Sequence, residues 1–367
     1  MSEIGTVGIV GAGTMGTGIA TNVAGHGIAV RLYDARPEAA RGAIDQAKAF
    51  WAKSVERGRM TPAQAEAAAG RLAAVDGLGG LADCDLVIEA IFEEFSLKAK
   101  LFEELSGLLP ERTLVATNTS CLRVSELARH MRKPDRFLGL HYFSPAQINP
   151  IVEVVRGEAS AAATVEAGLA FCRATGKKPI TCKDAYGFAI NRFFCPYTNE
   201  ACRLLDEGLA TPAEVDAVAE EAVGAAAGPF RVQNLIKPRI NLHAIQNLAP
   251  LGPFYAPAKS LIEVGEADRM WEIGQLGEIP PERRALIRDR IRLGVFLAVL
   301  QELDEEVATP ADIDTGAREA LRFAKPPCAL MDELGRAEVE RIVAPALARY
   351  GLKRPAALDR VGRLLAG

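Results

Sequence analysis

A doubly wound α/β sheet followed by an all-α domain built from two repeated helical units is the fold class this sequence predicts. Three observations carry the expectation. Short apolar runs alternate with helical stretches over about the first 150 residues. A glycine-rich turn, GAGTMG at Gly11–Gly16, joins the first apolar run to the first helix. Beyond Lys183 the pattern is helical only, and two of its stretches align at an offset of 98 residues.

The elements follow in order. Thr6–Val10 reads as a strand, Met15–Ala24 as a helix punctuated by Gly25 and Gly27, and Ile28–Tyr33 as a second strand of β-branched and aromatic residues. Further strands are expected at Leu86–Ala90, Thr113–Ala116 and Phe137–Leu140, making a parallel sheet covered on both faces. Residues 37–76 interrupt the rhythm with two charged, alanine-rich helices. Thr61-Pro62 starts the second of them, threonine as N-cap and proline in the first turn. This hairpin is a substrate clamp or simple padding, and its sequence does not choose. In the helical part, LDEGLATPAEVDAV (Leu205–Val218) aligns without a gap on LDEEVATPADIDTG (Leu303–Gly316). The same offset lays Asn191-Arg192 on Asp289-Arg290, and in each copy a Thr-Pro pair starts the second helix. The organisation expected is therefore a nucleotide-binding domain over 1–183, a first helical repeat over 184–278 and a second over 279–367.

Composition narrows the function classes. At 49 % apolar and 25 % charged the 367-residue chain has an ordinary globular balance. A net charge of −4 without a basic block argues against nucleic acid or an anionic membrane as partner. The longest apolar run, Leu293–Leu300, is too short to span a bilayer, and the N-terminus carries an acidic residue where a signal peptide is basic. A cytoplasmic location is expected. The seven cysteines lack CxxC spacing, so reduced, mostly buried thiols are expected and no metal site.

The glycine turn lies in the context that makes it informative. Gly11 permits the tight turn, Gly13 lets a pyrophosphate approach the backbone, and Gly16 brings helix and strand together. The helix that Thr14 and Met15 open offers N–H groups and positive dipole to the phosphates. Asp34 ends the second strand, placed to accept hydrogen bonds from an adenosine ribose and to repel a 2′-phosphate. These are the marks of a Rossmann-type site for NAD rather than NADP.

Four further stretches, DLVIEAIFEEFSLKAKLFEEL, ATNTSCL, GLHYFSPAQINPIVEVV and GFAINR, resemble the L-3-hydroxyacyl-CoA dehydrogenase family in type and order. The resemblance covers nearly the whole chain. It implies a Rossmann domain followed by a helical domain, and NAD-dependent oxidation of the 3-hydroxyl of an acyl-CoA thioester. By that resemblance His141 falls on the catalytic base and Glu153 on the carboxylate that orients it. Ser120 and Asn191 fall on substrate contacts, and Glu93, Lys98 and Asn118 on positions beside the nicotinamide. Ser144 and Tyr186 depart from the family pattern on the substrate side, as does PAKSLIEVGEADRMWEIG, which bears on the acyl group.

The residue types suit the chemistry. Removing hydride from a carbinol carbon requires the hydroxyl proton to leave too, and a histidine titrating near neutrality can take it. A carboxylate on the other ring nitrogen fixes the tautomer and stabilises the imidazolium. A dehydrogenase of free hydroxy or sugar acids, or a non-catalytic NAD-binding protein, is the alternative. Asp289 replaces the matching asparagine in the second repeat, so one active site per chain is expected. The second repeat then stands in for a partner's helical domain, giving a monomer with a pseudo-dimeric helical domain; a homodimer is the other possibility.

Overall fold

A computed structural model describes residues 4–366. The chain divides into two compact units, Met1–Asp184 and Ala185–Gly367.

The first unit is one eight-stranded sheet. Its strands are β1 (Thr6–Val10), β2 (Ala29–Tyr33), β3 (Leu72–Ala74), β4 (Leu86–Glu89), β5 (Leu114–Thr117), β6 (Phe137–Tyr142), β7 (Ile151–Arg156) and β8 (Lys178–Lys183). They lie in the order β3-β2-β1-β4-β5-β6-β7-β8. The chain leaves β1 for β2 on one side and returns to β4 on the other, so the order reverses beside β1. In doubly wound sheets the ligand crevice opens at that reversal, beyond the carboxyl ends of the strands. Val7, Ile9, Val30, Leu32 and Ile88 form the buried core of this region with Ile19 and Val23 of helix α1 (Thr14–Gly25). On the sheet, Phe102 and Phe137 meet edge to face at 4.9 Å.

Two expectations about this unit are corrected. The sheet is not wholly parallel: β6 and β7 pair antiparallel. The linker between them is a short turn, and antiparallel neighbours need no long crossover. The helical insert is also shorter than residues 37–76. Helices α2 (Pro37–Glu56) and α3 (Pro62–Ala69) form, with Thr61 and Gln64 making a reciprocal cap at the start of α3. Gly70 ends the helix, and Leu72–Ala74 then pairs with β2, Val30 opposite Leu72. Alanine favours helix, but sheet pairing and burial of Leu72 outweigh that propensity over three residues.

Helix α4 (Phe95–Leu108), the short α5 (Val124–Ala128) and α6 (Ala162–Ala174) complete this unit. The second unit contains nine α-helices among the described residues: α7 (Asn191–Asp206), α8 (Pro212–Val223), α9 (Pro229–Ile236), α10 (Pro238–Gln246), α11 (Lys259–Glu266), α12 (Pro281–Asp304), α13 (Pro310–Ala320), α14 (Pro327–Leu334) and α15 (Arg336–Tyr350). Thr211 and Thr309 cap α8 and α13 through their side chains. Asp216 accepts the N–H groups of Phe230 and Arg231 at 2.8 and 3.2 Å, and Asp314 accepts those of Cys328 and Ala329 at 2.7 and 2.9 Å. Each of these contacts maps onto the other at the offset of 98 residues. The mates also touch each other. Ala225 bridges to Phe323, and a Cβ on Gly294 would come within 2.9 Å of the carbonyl oxygen of Pro196. Arg192 pairs with Glu305 at 2.5 Å and Arg290 with Glu207 at 2.7 Å. One contact becomes the other when the copies are exchanged, which is the signature of a twofold relation.

Candidate active site

The glycine loop follows β1. Gly11 has φ +106°, and a Cβ there would lie 2.5 Å from the carbonyl oxygen of Ala90. No residue with a side chain fits that turn. A Cβ on Gly16 would overlap the carbonyl oxygen of Gly11, so α1 begins directly against the loop. Gly13, the N-cap of α1, has nothing within 4 Å of where a Cβ would be. The backbone there is open on the side from which a phosphate approaches, and the first-turn N–H groups of Thr14, Met15 and Gly16 have no intrahelical acceptor. Asp34 accepts the Ala12 N–H at 2.8 Å and the Arg36 N–H at 2.9 Å. Its carboxylate is thereby fixed beside the loop with lone pairs to spare for ribose hydroxyls. These residues fit an NAD.

On the neighbouring strands lies a cluster of charges. Lys98 of α4 is fully buried and donates to Glu89 at 2.6 Å and to Glu93 at 2.9 Å. Burial favours the neutral amine, but the two carboxylates outweigh it and raise the Lys98 pKa. Glu89 is fully buried, and desolvation raises its pKa against the pull of Lys98, Thr117 and the Ile91 N–H. Burial acts the same way on Glu93; there Lys98, the Thr119 hydroxyl and the Ser120 N–H win, and its pKa falls. Glu93 thus holds the turn bearing Ser120, whose N–H donates to it at 2.7 Å.

His141 and Glu153 stand directly opposite each other on the antiparallel pair β6–β7. Cross-strand partners project to the same face of a sheet, so register alone sets the side chains together. His141 Nδ1 lies 2.5 Å from Glu153 Oε2, both residues buried. The Phe143 ring packs 4.5 Å from the imidazole. Asn118, just past β5, accepts the Tyr142 N–H at 2.9 Å, while its own N–H donates to the Glu89 carbonyl at 2.8 Å. The lysine–carboxylate cluster and the histidine strand are thus joined through one asparagine. Asn191 opens α7 in the second unit.

Glu89, Thr117 and Thr119 went unread in the sequence, as did Lys177. The signal for Glu89 was present: like Glu153, it is a lone carboxylate inside an apolar run. Lys177 is buried and donates to the carbonyls of Ala146 and Asn149 at 2.6 and 2.8 Å, pinning the turn between β6 and β7. Desolvation lowers its pKa to about 8. No pattern in the sequence marks it, because both its acceptors are main-chain atoms. Among the described residues no group of three or more His, Cys, Asp or Glu side chains is arranged to hold a metal ion.

A glycine-loop sheet with a carboxylate for ribose and a buried imidazole–carboxylate pair defines an NAD-dependent dehydrogenase unit. The sequence model of the 3-hydroxyacyl-CoA dehydrogenase NAD-binding domain matches residues 6–185, and that of the family's C-terminal domain matches 187–277. The chain belongs to the 3-hydroxyacyl-CoA dehydrogenase family. It is 40 % identical over 241 residues to the 3-hydroxyadipyl-CoA dehydrogenase of Escherichia coli K12, a match covering 66 % of this chain and 51 % of that protein. It is 34 % identical over 234 residues to the probable 3-hydroxybutyryl-CoA dehydrogenase of Bacillus subtilis 168, covering 64 % of this chain and 82 % of the relative. The match thus spans about half the length of the E. coli relative. Among solved structures, a 3-hydroxybutyryl-CoA dehydrogenase from E. coli K12 superposes with a TM-score of 0.89 at 26 % identity, over 100 % of both chains. An (S)-3-hydroxybutyryl-CoA dehydrogenase from Ralstonia eutropha gives 0.71 at 32 % identity, covering 74 % of this chain and all of its own. No helix among the described residues is long and apolar enough to cross a membrane.

Proposed function

We propose that this chain oxidises an (S)-3-hydroxyacyl-CoA to the 3-oxoacyl-CoA, reversibly and in the cytoplasm. The observation that carries the reading is the His141–Glu153 contact at 2.5 Å, buried on adjacent strands. With Nδ1 committed to Glu153, Nε2 is the nitrogen that takes the hydroxyl proton. Glu153 stabilises the imidazolium that results, and in the reverse direction the same nitrogen returns the proton to the 3-oxygen. NAD, when bound, accepts the hydride from the carbinol carbon. Ser120 and Asn191 hold the substrate oxygens, and the Glu93–Lys98 pair with Asn118 fixes the floor on the nicotinamide side. The relatives named for hydroxyadipyl- and hydroxybutyryl-CoA support a CoA thioester over a free acid. Within this reading the second helical copy takes the place of a partner's domain. The test is NADH oxidation with acetoacetyl-CoA and a panel of longer 3-oxoacyl-CoA thioesters against free 3-keto acids. Turnover of the thioesters is expected; turnover of the free acids alone would overturn the reading.

A further inference from the structure

We infer that Glu305, in the second helical copy, is a positioning residue for Asn191 and acts through Arg192. The inference rests on the role given to Asn191 above. Arg192 follows Asn191 in the first turn of α7, and its side chain is 1 % exposed. A guanidinium so buried needs an anion and a full set of acceptors. Glu305 supplies the anion at 2.5 Å. Tyr255 packs its ring 5.4 Å from the guanidinium carbon and accepts from Nε at 3.2 Å, while its own hydroxyl donates to Gln301 at 2.7 Å. Gln301 and Glu305 are four residues apart at the end of α12, so one face of that helix end holds both Arg192 and its tyrosine.

The backbone ahead of Asn191 leaves little slack to absorb a shift. Gly187 has φ +80° and Phe188 φ +49°, and the Arg192 N–H donates to the Gly187 carbonyl at 3.0 Å. A Cβ on Gly187 would lie 2.8 Å from the Arg192 nitrogen. The guanidinium also reaches the Tyr186 carbonyl at 3.5 Å. A displacement of Arg192 is therefore passed to the turn from which Asn191 projects.

The twofold relation supplies its own control. Glu207 pairs with Arg290 in the mirror contact, but there the neighbouring residue is Asp289 and not asparagine. A merely structural role lets both Glu305→Gln and Glu207→Gln lower Tm and leaves the thioester KM unmoved in both. A positioning role separates them. In the full-length chain, with acetoacetyl-CoA and NADH, Glu305→Gln is expected to raise KM for the thioester and lower kcat/KM by roughly ten- to hundredfold. KM for NADH stays unchanged, and Glu305→Asp recovers part of the loss. Glu207→Gln, which leaves Arg290 its second carboxylate at Glu200, is expected to lower Tm by less while leaving both KM values as they were. Equal kinetics for the two glutamine variants, or wild-type kinetics for Glu305→Gln, would overturn the inference. Failure of the wild-type chain to turn over any thioester would instead remove the functional reading beneath it, before any variant is made.

Discussion

His141 and Glu153 are twelve residues apart in sequence and directly opposed in space, because an antiparallel turn folds one apolar run back on the other. His141→Gln should lower kcat by about 10²–10⁴-fold, the usual contribution of a positioned acid–base group. NADH binding, read by fluorescence titration, should be unchanged; an activity loss that tracks NADH affinity would show that the imidazole serves the cofactor instead. Asp34 offers a second residue-level prediction. Its neighbour Arg36 is 73 % exposed in its side chain and lies 3.7 Å from it. Asp34→Ser removes the ribose acceptor and leaves Arg36 available to a 2′-phosphate. A charged hydrogen bond is worth about 1.5–3 kcal/mol, so kcat/KM with NADH should fall roughly ten- to hundredfold while that with NADPH rises. An unchanged cofactor ratio would place the ribose elsewhere. The glycines, Asp34, His141 and Glu153 are legible in sequence because each is a residue type out of keeping with its surroundings. Lys177 and Thr119 are not, since their partners are a pair of carbonyls and a carboxylate 26 residues away, which no local pattern encodes.

At the scale of elements, apolar periodicity locates β1, β2, β4, β5 and β6 and passes over β3 and β8. Strand β3 is three residues of leucine and alanine at a sheet edge, and only its pairing with β2 makes it a strand. Strand β8 contains Pro179 and alternates over only two buried residues, Ile180 and Cys182; it forms on the edge beside β7, where a missing N–H is tolerated. The antiparallel turn of β7 is likewise invisible to composition. In the helical unit the ion pairs between elements can be tested by acid. Hydrogen bonds from Arg290 first, and then from Arg349, hold the Glu207 pKa down at about 2. Its folded value lies below the unfolded one, so its stabilisation is complete above the ordinary carboxylate pKa of 4.5 and is lost as pH falls toward 2. The carboxylate is 29 % exposed, and solvent screening limits the contribution to about 1 kcal/mol. Glu207→Gln should therefore lower Tm by about 2–4 °C at neutral pH, and by progressively less below pH 4.5. A Tm difference that does not shrink on acidification would mean that packing, not charge, is what Glu207 provides.

For the whole molecule the repeat decides the expected assembly. It is legible as two aligned stretches, because the Thr-Pro caps and the aspartates at 216 and 314 are kept in both copies. The stretch from Arg231 to Pro280, within the first copy, is not legible: its helices are eight or nine residues long, and Gly265 sits against Leu242 too closely for a side chain. What the copies make of each other follows from the exchanged contacts. Arg192–Glu305 and Arg290–Glu207 are one contact made twice, and Ala225–Phe323 and Pro196–Gly294 join mates that coincide at the twofold. A surface of this kind on a single-copy chain would be satisfied by a second molecule. Here it is satisfied within the chain. Sedimentation equilibrium should accordingly report the mass of one chain, and the mass should not rise with concentration through the micromolar range. Glu305→Arg, which places two cations where the Arg192 pair was, should then open the helical unit without changing the mass. A dimer in the wild type that this variant dissociates would show that the helical faces meet between molecules, and that the second copy does not replace a partner.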